Sequence, residues 1–266
     1  MRLKDTVAVV TGGGRGIGRA IALALAAEGA RLLVASDVLA EVQAVAREAA
    51  EVGARAEALR ADVTRLADME AMAARAVEAF GALDVLVTCA GVAGGGLLAE
   101  QPEADWTRVI DVNLNGTYRA IRAVLPQMMQ QGRGRIITVS SIFGRMGGYG
   151  FVSAYAASKH GVIGLTRALA TELASQGHPG ITVNALCPGY VRAGMGVAPQ
   201  KVRSREGGVT DVPGEEIFER HIKRRVPQRR MIEAEEIAHA AVFLALPESR
   251  GITGQGLNVD GGFIMS

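Results

Sequence analysis

Five glycines fall within eight residues, Thr11-Gly12-Gly13-Gly14-Arg15-Gly16-Ile17-Gly18, between the apolar run Val7–Val10 and the helix-forming stretch Gly16–Glu28. Such a turn constrains the chain strongly. Without Cβ atoms the backbone can reverse tightly and approach another group closely. The helix that follows presents N–H groups and the positive end of its dipole. A strand, a glycine-rich turn and a helix N-terminus in that order form a cradle for a phosphate or pyrophosphate. The spacing is Gly12-x-x-x-Gly16-x-Gly18, which differs from the GxGxxG pattern of many dinucleotide sites.

The strand–helix unit then repeats. Short apolar runs predict strands at Val7–Val10, Leu32–Ala35, Ala56–Arg60, Val85–Thr88, Arg135–Val139, Thr182–Leu186 and Gly256–Val259. Alanine-rich stretches predict helices at Gly16–Glu28, Leu39–Glu51, Arg65–Phe80, Trp106–Gln130, Ser153–Ala174 and Ala234–Leu246. Near-continuous apolar strands are buried on both faces, the habit of a parallel sheet covered by helices. Alternation at this spacing gives right-handed βαβ units. The expected fold is α/β, a doubly wound, Rossmann-type sheet of seven parallel strands in a single domain spanning residues 1–266. One segment breaks the rhythm. Residues 188 to about 230 are rich in Gly, Pro and charge and show no strand period. Open α/β sheets bind ligands beyond the carboxyl ends of their strands, and a long segment at that address reads as a substrate lid.

Composition excludes several function classes. Half of the 266 residues (49%) are apolar, enough for a large core. Lys plus Arg number 29 against 27 Asp plus Glu, for a net charge of +2, and aromatics make up 4%. Neither a charged footprint nor a stacking platform for nucleic acid is visible. No apolar run is long enough for a membrane span or a secretory signal. The two cysteines, Cys89 and Cys187, lie far apart, which excludes a disulfide scaffold and fits a reducing, cytoplasmic setting. No His/Cys cluster supports a metal site.

Beyond the glycine turn, Asp37 stands near the end of the second strand, where a carboxylate bonds an adenosine ribose and repels a 2′-phosphate. It could equally cap the next helix. Arg15 points the other way, since a guanidinium pairs with a 2′-phosphate. On this balance NAD is favoured over NADP. Asp62-Val63 offers a carboxylate and a backbone edge to an adenine, or, with Thr64, a helix cap. Thr88-Cys89-Ala90-Gly91 ends a strand with small residues against which a cofactor can lie, and both cysteines read as small buried hydrophobes.

Tyr155 and Lys159, four apart in a predicted helix, share one face. An ammonium beside a phenol favours the phenolate and lowers its pKa from about 10. A tyrosine tuned in this way exchanges a proton with a carbonyl or alcohol oxygen. Ser140-Ser141 ends a strand shortly before. Ser141 is the candidate to hold a substrate oxygen, and Ser140 the better candidate for a turn or cap. Asn113 lies within a helical stretch and either holds a water or braces the backbone near the lysine. His160, His178, His221 and His239 have no nucleophile beside them and read as surface or structural.

Together Thr11–Gly18, Asp62-Val63, Asn113, Ser141, Tyr155-Ala-Ala-Ser-Lys159, Pro188-Gly189 and Asn258-Val259-Asp260-Gly261-Gly262 resemble the short-chain dehydrogenase/reductase family over essentially the whole chain. The resemblance implies NAD(P)-dependent hydride transfer between a ketone and a secondary alcohol, with Tyr155 as acid/base. Lys159 would bind the nicotinamide ribose and tune Tyr155. Ser141 would position the carbonyl, and Asn113 would anchor a proton-relay water. Cofactor contacts are implied for Gly12, Gly14, Arg15, Gly16, Ile17, Gly18, Ser36, Asp37, Asp62, Val63, Ala90, Gly91, Tyr155, Lys159, Pro188, Gly189 and Val191. Substrate contacts are implied for Gly95, Ser141, Tyr155 and Met195. The family also implies a homotetramer built on the Tyr155 helix and on the last helix and strand.

The chain departs from the family at several places. Thr88-Cys89 replaces a usual Asn-Asn, and Ala193 stands where a threonine often touches the nicotinamide. Ser36 occupies the position that NAD enzymes make acidic, while Asp37 follows at a position where many NADP enzymes carry Arg. Ala90–Gly96, Ser158–Val162 and Arg225-Val226-Pro227 are similar to aromatic polyketide ketoreductases and 3-oxoacyl thioester reductases. The ending, through Met265-Ser266, is similar to sugar-alcohol dehydrogenases. Gly132 and Gln176 stand where carrier-protein reductases often show docking arginines. Lys201–Arg230 carries nine Lys/Arg and five Asp/Glu, +4 against −2 for the rest, which is either a basic lid over an anionic substrate or a solvated face. Met195 and Val197 would wall the site, with Gly94-Gly95-Gly96 leaving room opposite. The expected activity is a ketoreductase. The alternative is an NAD-dependent sugar-alcohol or other secondary-alcohol dehydrogenase, and more remotely a non-catalytic nucleotide sensor.

Overall fold

Val7 and Val9 leave strand β1 (Val7–Thr11) on one side and Ala8 and Val10 on the other, and all four are fully buried. That alternation organises the molecule. On one face Ala8 and Val10 pack with Leu32, Val34, Val85 and Val87 beneath helices α1 (Gly16–Ala27), α2 (Leu39–Glu51) and α8 (Ala234–Ala245). On the other, Val7 and Val9 pack with Leu33, Leu86 and Ile136 beneath α3 (Leu66–Phe80), α5 (Gly116–Gln131) and α6 (Ser153–Ser175). Each such Val or Leu side chain stabilises the fold by about 1.5–3 kcal/mol, so the two apolar layers hold the sheet from both faces.

The computed structural model describes residues 1–147, 150–203 and 209–265. Lid positions 204–208 and the terminal Ser266 of the closing motif lie outside them. The seven strands are β1, β2 (Arg31–Ser36), β3 (Ala56–Arg60), β4 (Val85–Thr88), β5 (Gly134–Val139), β6 (Ile181–Pro188) and the last, β9 (Gly256–Val259). They pair in parallel in the order β3-β2-β1-β4-β5-β6-β9. The expected seven-stranded, doubly wound single-domain sheet is thus the observed one. Chain direction across the sheet reverses between β1 and β4, and the crevice outside that switch point is where such sheets take ligands. Among the described residues no helix is long and apolar enough to cross a membrane.

Two predicted elements need correction. The helix expected at Trp106–Gln130 is three pieces: α4 (Glu103–Ile110), a π turn at Asp111–Asn115, and α5. Here Gly116 N–H reaches back to Asp111 C=O, one residue further than in an α-helix. The segment after β6 also carries order that its sequence period does not show. An antiparallel hairpin, β7 (Gln200–Arg203) with β8 (Val209–Val212), is followed by α7 (Gly214–Ile217), a second π turn at Phe218–Ile222 and a 3₁₀ turn at Lys223–Arg225. Burial supplies the reason. Phe218, Ile222, Val226 and Met231 form a satellite core with Tyr190, Val197, Ile217 and Phe263, and this tertiary packing orders a stretch with no local signal.

Candidate active site

The phosphate end is built from backbone. Gly12 has φ +62°, and a Cβ there would come within 2.6 Å of Ala90 Cα. A Cβ on Gly18 would overlap the Gly12 carbonyl oxygen. Arg15 caps α1 in an extended conformation with no side-chain cap bond, so no side chain occupies the cap of that helix. Gly14 lies against Glu41, Ile17 leans on the apolar layer beneath α1, and Gly16 faces Gly194 from the loop after β6. These contacts leave a Cβ-free cradle at a helix N-terminus, which fits a pyrophosphate.

Around it the remaining candidates line the strand ends. Ser36 is buried at the end of β2, its hydroxyl exchanging hydrogen bonds with the Val38 backbone (3.1 and 3.2 Å). Asp37 is exposed beside it, and Val38, not Asp37, is the cap residue of α2, so the capping alternative is not realised. The Arg15 guanidinium is largely exposed, with Glu41 4.0 Å away. Asp62 accepts from Thr64 N and Oγ1, both at 2.8 Å, closing a turn ahead of α3, whose cap is Arg65. Val63 is buried against Gly116. Ala90 and Gly91 are partly buried, with Ala90 N 3.5 Å from Thr11 Oγ1. Pro188 ends β6, Gly189 packs on Asp260, and Val191 is buried and bridges to Ile232.

The chemical end is built from side chains. Ser141 Oγ accepts from Phe143 N at 3.1 Å, capping the 3₁₀ turn Ile142–Gly144, and also hydrogen-bonds Tyr155. Ser140 Oγ instead donates to the Lys159 carbonyl at 2.9 Å. The cap role expected of Ser140 therefore falls to Ser141, because Ser140 faces α6. Lys159 Nζ is buried, donates to Val139 O at 2.9 Å and lies 5.6 Å from the Tyr155 ring centre. Asn113 is fully buried within the π turn. Its Oδ1 accepts from Val92 N at 2.8 Å, and its Nδ2 donates to Val92 O and Ser158 Oγ, both at 3.1 Å. Of the two readings of Asn113, its amide takes the bracing one: both Nδ2 hydrogens are used, and Oδ1 keeps one lone pair open. A Cβ on Gly91 would sit 3.4 Å from Asn113 Oδ1 and 3.6 Å from Lys159 Nζ, so the strand end after β4 runs past both.

Burial, not the ammonium, dominates the tyrosine. Desolvation pushes Tyr155 up to about 12, against a smaller opposing pull from the Ser141 hydrogen bond. The expected lowering by Lys159 is thus overturned, because removing a phenolate from water outweighs the neighbours that favour it. Desolvation also pulls Lys159 down, to about 8. Near neutral pH the pair is a phenol beside an ammonium. That is the form that gives a proton away. Cys89 is raised to about 11 by burial and is not a nucleophile.

Five of the eleven aromatic residues meet at this end. Phe143 stacks edge-on against both Tyr155 and Tyr190 at 6.3 Å, and Tyr190 contacts Phe218 at 5.8 Å and Phe263 at 6.1 Å. This wall escapes reading from the sequence because its members come from five separate segments. The one available signal is that sparse rings recur just beyond strand ends. Of the wall expected from Met195 and Val197, Met195 is exposed at the start of the lid, while Val197 packs into the satellite core. Gly94 and Gly95 do not leave room. Their missing Cβ atoms admit Val109 Cγ2 and the Phe151 carbonyl, and Gly96 N donates to that same carbonyl at 2.9 Å.

Residues 6–203 match the family model described as short chain dehydrogenase. The chain belongs to this family. A Streptomyces coelicolor protein named "Putative ketoacyl reductase" is 40% identical over 258 residues, covering 96% of each chain. The 3-oxoacyl-[acyl-carrier-protein] reductase FabG of Staphylococcus aureus is 39% identical over 259 residues, covering 97% of this chain and 98% of its own. A substituted actinorhodin polyketide ketoreductase, crystallised with NADPH, superposes with a TM-score of 0.87 at 39% identity, covering 97% of both chains. As a short-chain dehydrogenase the protein is an oxidoreductase using NAD or NADP. The preference for NAD finds no support: β2 ends in Ser36 with no carboxylate, Asp37 is exposed, and the solved relative carries NADPH.

Proposed function

We propose that this short-chain dehydrogenase is an NADPH-dependent ketoreductase that converts a β-ketoacyl group to its secondary alcohol. The observation that carries the reading is the Tyr155 hydroxyl, hydrogen-bonded to Ser141, beside buried Lys159 and held as a phenol. Ser141 and Tyr155 converge on one ketone oxygen. Ser141 orients it, and Tyr155 gives it a proton as the alkoxide develops. The dinucleotide, when bound, supplies the hydride. Lys159 holds the nicotinamide ribose with its ammonium, and Asn113 keeps the β4 loop beside it. Gly12, Gly14, Gly16, Ile17 and Gly18 hold the pyrophosphate. Asp62 and Val63 border the adenine. Ala90, Gly91, Pro188, Gly189 and Val191 border the nicotinamide half. Arg15 takes the 2′-phosphate, and Ser36 borders the adenosine ribose at the end of β2. Gly95 and Met195 border the substrate.

The names of the similar proteins favour a thioester-borne ketone, and the edge-on rings beyond Tyr155 favour a flat or apolar body on it. Residues 188–230 act as its lid. Arg192 pairs with Glu215 at 2.6 Å and Glu233 at 3.2 Å, joining α7 to the start of α8. The protein works as a homotetramer. Exposed Phe243 and Leu257 on the last helix and strand support one interface, and a groove of about 300 Å³ lined by Tyr118, Ile121, Leu125 and Leu165 supports another. Two free cysteines suit a reducing cytoplasm.

The test is an initial-rate panel at the nicotinamide absorbance: NADPH and NADH against β-ketothioesters and cyclic or aromatic ketones, NAD⁺ and NADP⁺ against polyols. Turnover of ketones with NADPH is expected. Turnover confined to polyols and NAD⁺ would select the sugar-alcohol dehydrogenase, and tight binding without turnover the sensor.

A further inference from the structure

The amide of Asn113 joins two segments of chain that the sequence leaves unconnected. One is the loop after β4, held by both the N–H and the carbonyl of Val92. The other is α6, reached through Ser158 Oγ. Ser158 is fully buried, and its hydroxyl donates in turn to the carbonyl of Tyr155 at 2.7 Å. A helical serine bonding back to a carbonyl one turn earlier is common by itself. Here the same oxygen also accepts from an amide on another helix, so the hydroxyl is used in both directions. The π turn makes the arrangement possible. Its extra residue per turn brings Asn113 inward to face α6.

We propose that Ser158 is a positioning residue for proton transfer. It fixes the peptide that carries Tyr155 relative to the β4 loop, through the chain Val92–Asn113–Ser158–Tyr155. The inference rests on the oxidoreductase reading of Tyr155 and deepens it. Ser158 touches neither Ser141 nor the Tyr155 hydroxyl. Its effect is on where that hydroxyl sits, and an error of a fraction of an ångström in a proton donor is felt in turnover more than in binding. Removing the hydroxyl leaves one Asn113 N–H without its acceptor, freeing the π turn and α6 to move relative to one another.

The test compares Ser158→Ala and Ser158→Thr with wild type, on whichever substrate the wild type turns over. The Ala variant is expected to lose kcat about tenfold while KM and dinucleotide Kd stay within roughly twofold. The deuterium isotope effect from 4-deuterated cofactor should change with it. The Thr variant, which keeps the hydroxyl, should recover to within about threefold of wild type. Asn113→Ala combined with Ser158→Ala should cost no more than Asn113→Ala alone, since both break one chain of bonds. An Ala variant with wild-type kcat overturns the proposal. So does parallel loss of kcat, Kd and thermal stability, a folded Thr variant as slow as Ala, or additive effects in the double variant. A failed ketone panel would sink the ketoreductase reading alone, because the Ser158 comparison runs equally on an alcohol.

Discussion

The two ends of the crevice are made of different material. The phosphate end is backbone: Gly12 held at φ +62° against Ala90, Gly18 under the Gly12 carbonyl, and a helix start whose cap residue makes no side-chain bond. The chemical end is side chain: Ser141, Tyr155, Lys159, Asn113 and Ser158, mostly buried and bound to one another or to nearby carbonyls. The difference teaches how each end can fail. A backbone site tolerates many side chains nearby but no added Cβ. A side-chain site tolerates no change of functional group, even where shape is preserved.

That contrast can be broken at either end. Gly12→Ala should weaken NADPH binding most, on the order of a hundredfold, because the residue is strained at positive φ and pushes on the Ala90 backbone. Dinucleotide fluorescence titration reads it, and near-native affinity would mean the cradle is not set by that close approach. Lys159→Met should cut turnover by a comparable factor while raising stability. Pulling an ammonium from 10.5 to about 8 corresponds to about 3 kcal/mol, offset by about 1 kcal/mol for the lost bond to Val139. Denaturant melts at pH 7 should show the gain. The unfolded chain binds the extra proton between pH 8 and 10.5, so wild-type stability from Lys159 rises with pH across that window, and the Met variant should lack this slope. Arg15→Ala should lower the NADPH-over-NADH ratio of kcat/KM by about tenfold, with ketone KM unchanged. The smallest effect is pH alone. Ketone reduction should stay level at neutral pH and fall as pH rises through about 8, where Lys159 loses its proton and Tyr155 keeps its own.

The same contrast explains what could be read in advance. Glycine spacing and apolar runs report backbone requirements, so the cradle, β3, β4, α2 and β9 appear in the sequence with the boundaries they have in the fold. Tyr155 and Lys159 are legible because a helix turns them to one face. The pKa of Tyr155 is not, because it depends on desolvation that only packing supplies. The cap role passes from Ser140 to Ser141 for a similar reason: adjacent residues in extended chain face opposite ways, and the residue count does not say which faces α6. The Phe218 core depends on contacts between Tyr190, Phe218 and Phe263, far apart in the chain.

The central claim is that Tyr155 gives the proton while the cradle binds the dinucleotide independently of it. Tyr155→Phe tests it in one preparation, by titrating NADPH and then measuring ketone reduction. The account predicts a Kd within about twofold of wild type and a kcat lower by roughly 10²–10⁴. A Phe variant that turns over within about twofold of wild type, or one that loses NADPH binding along with turnover, would contradict it.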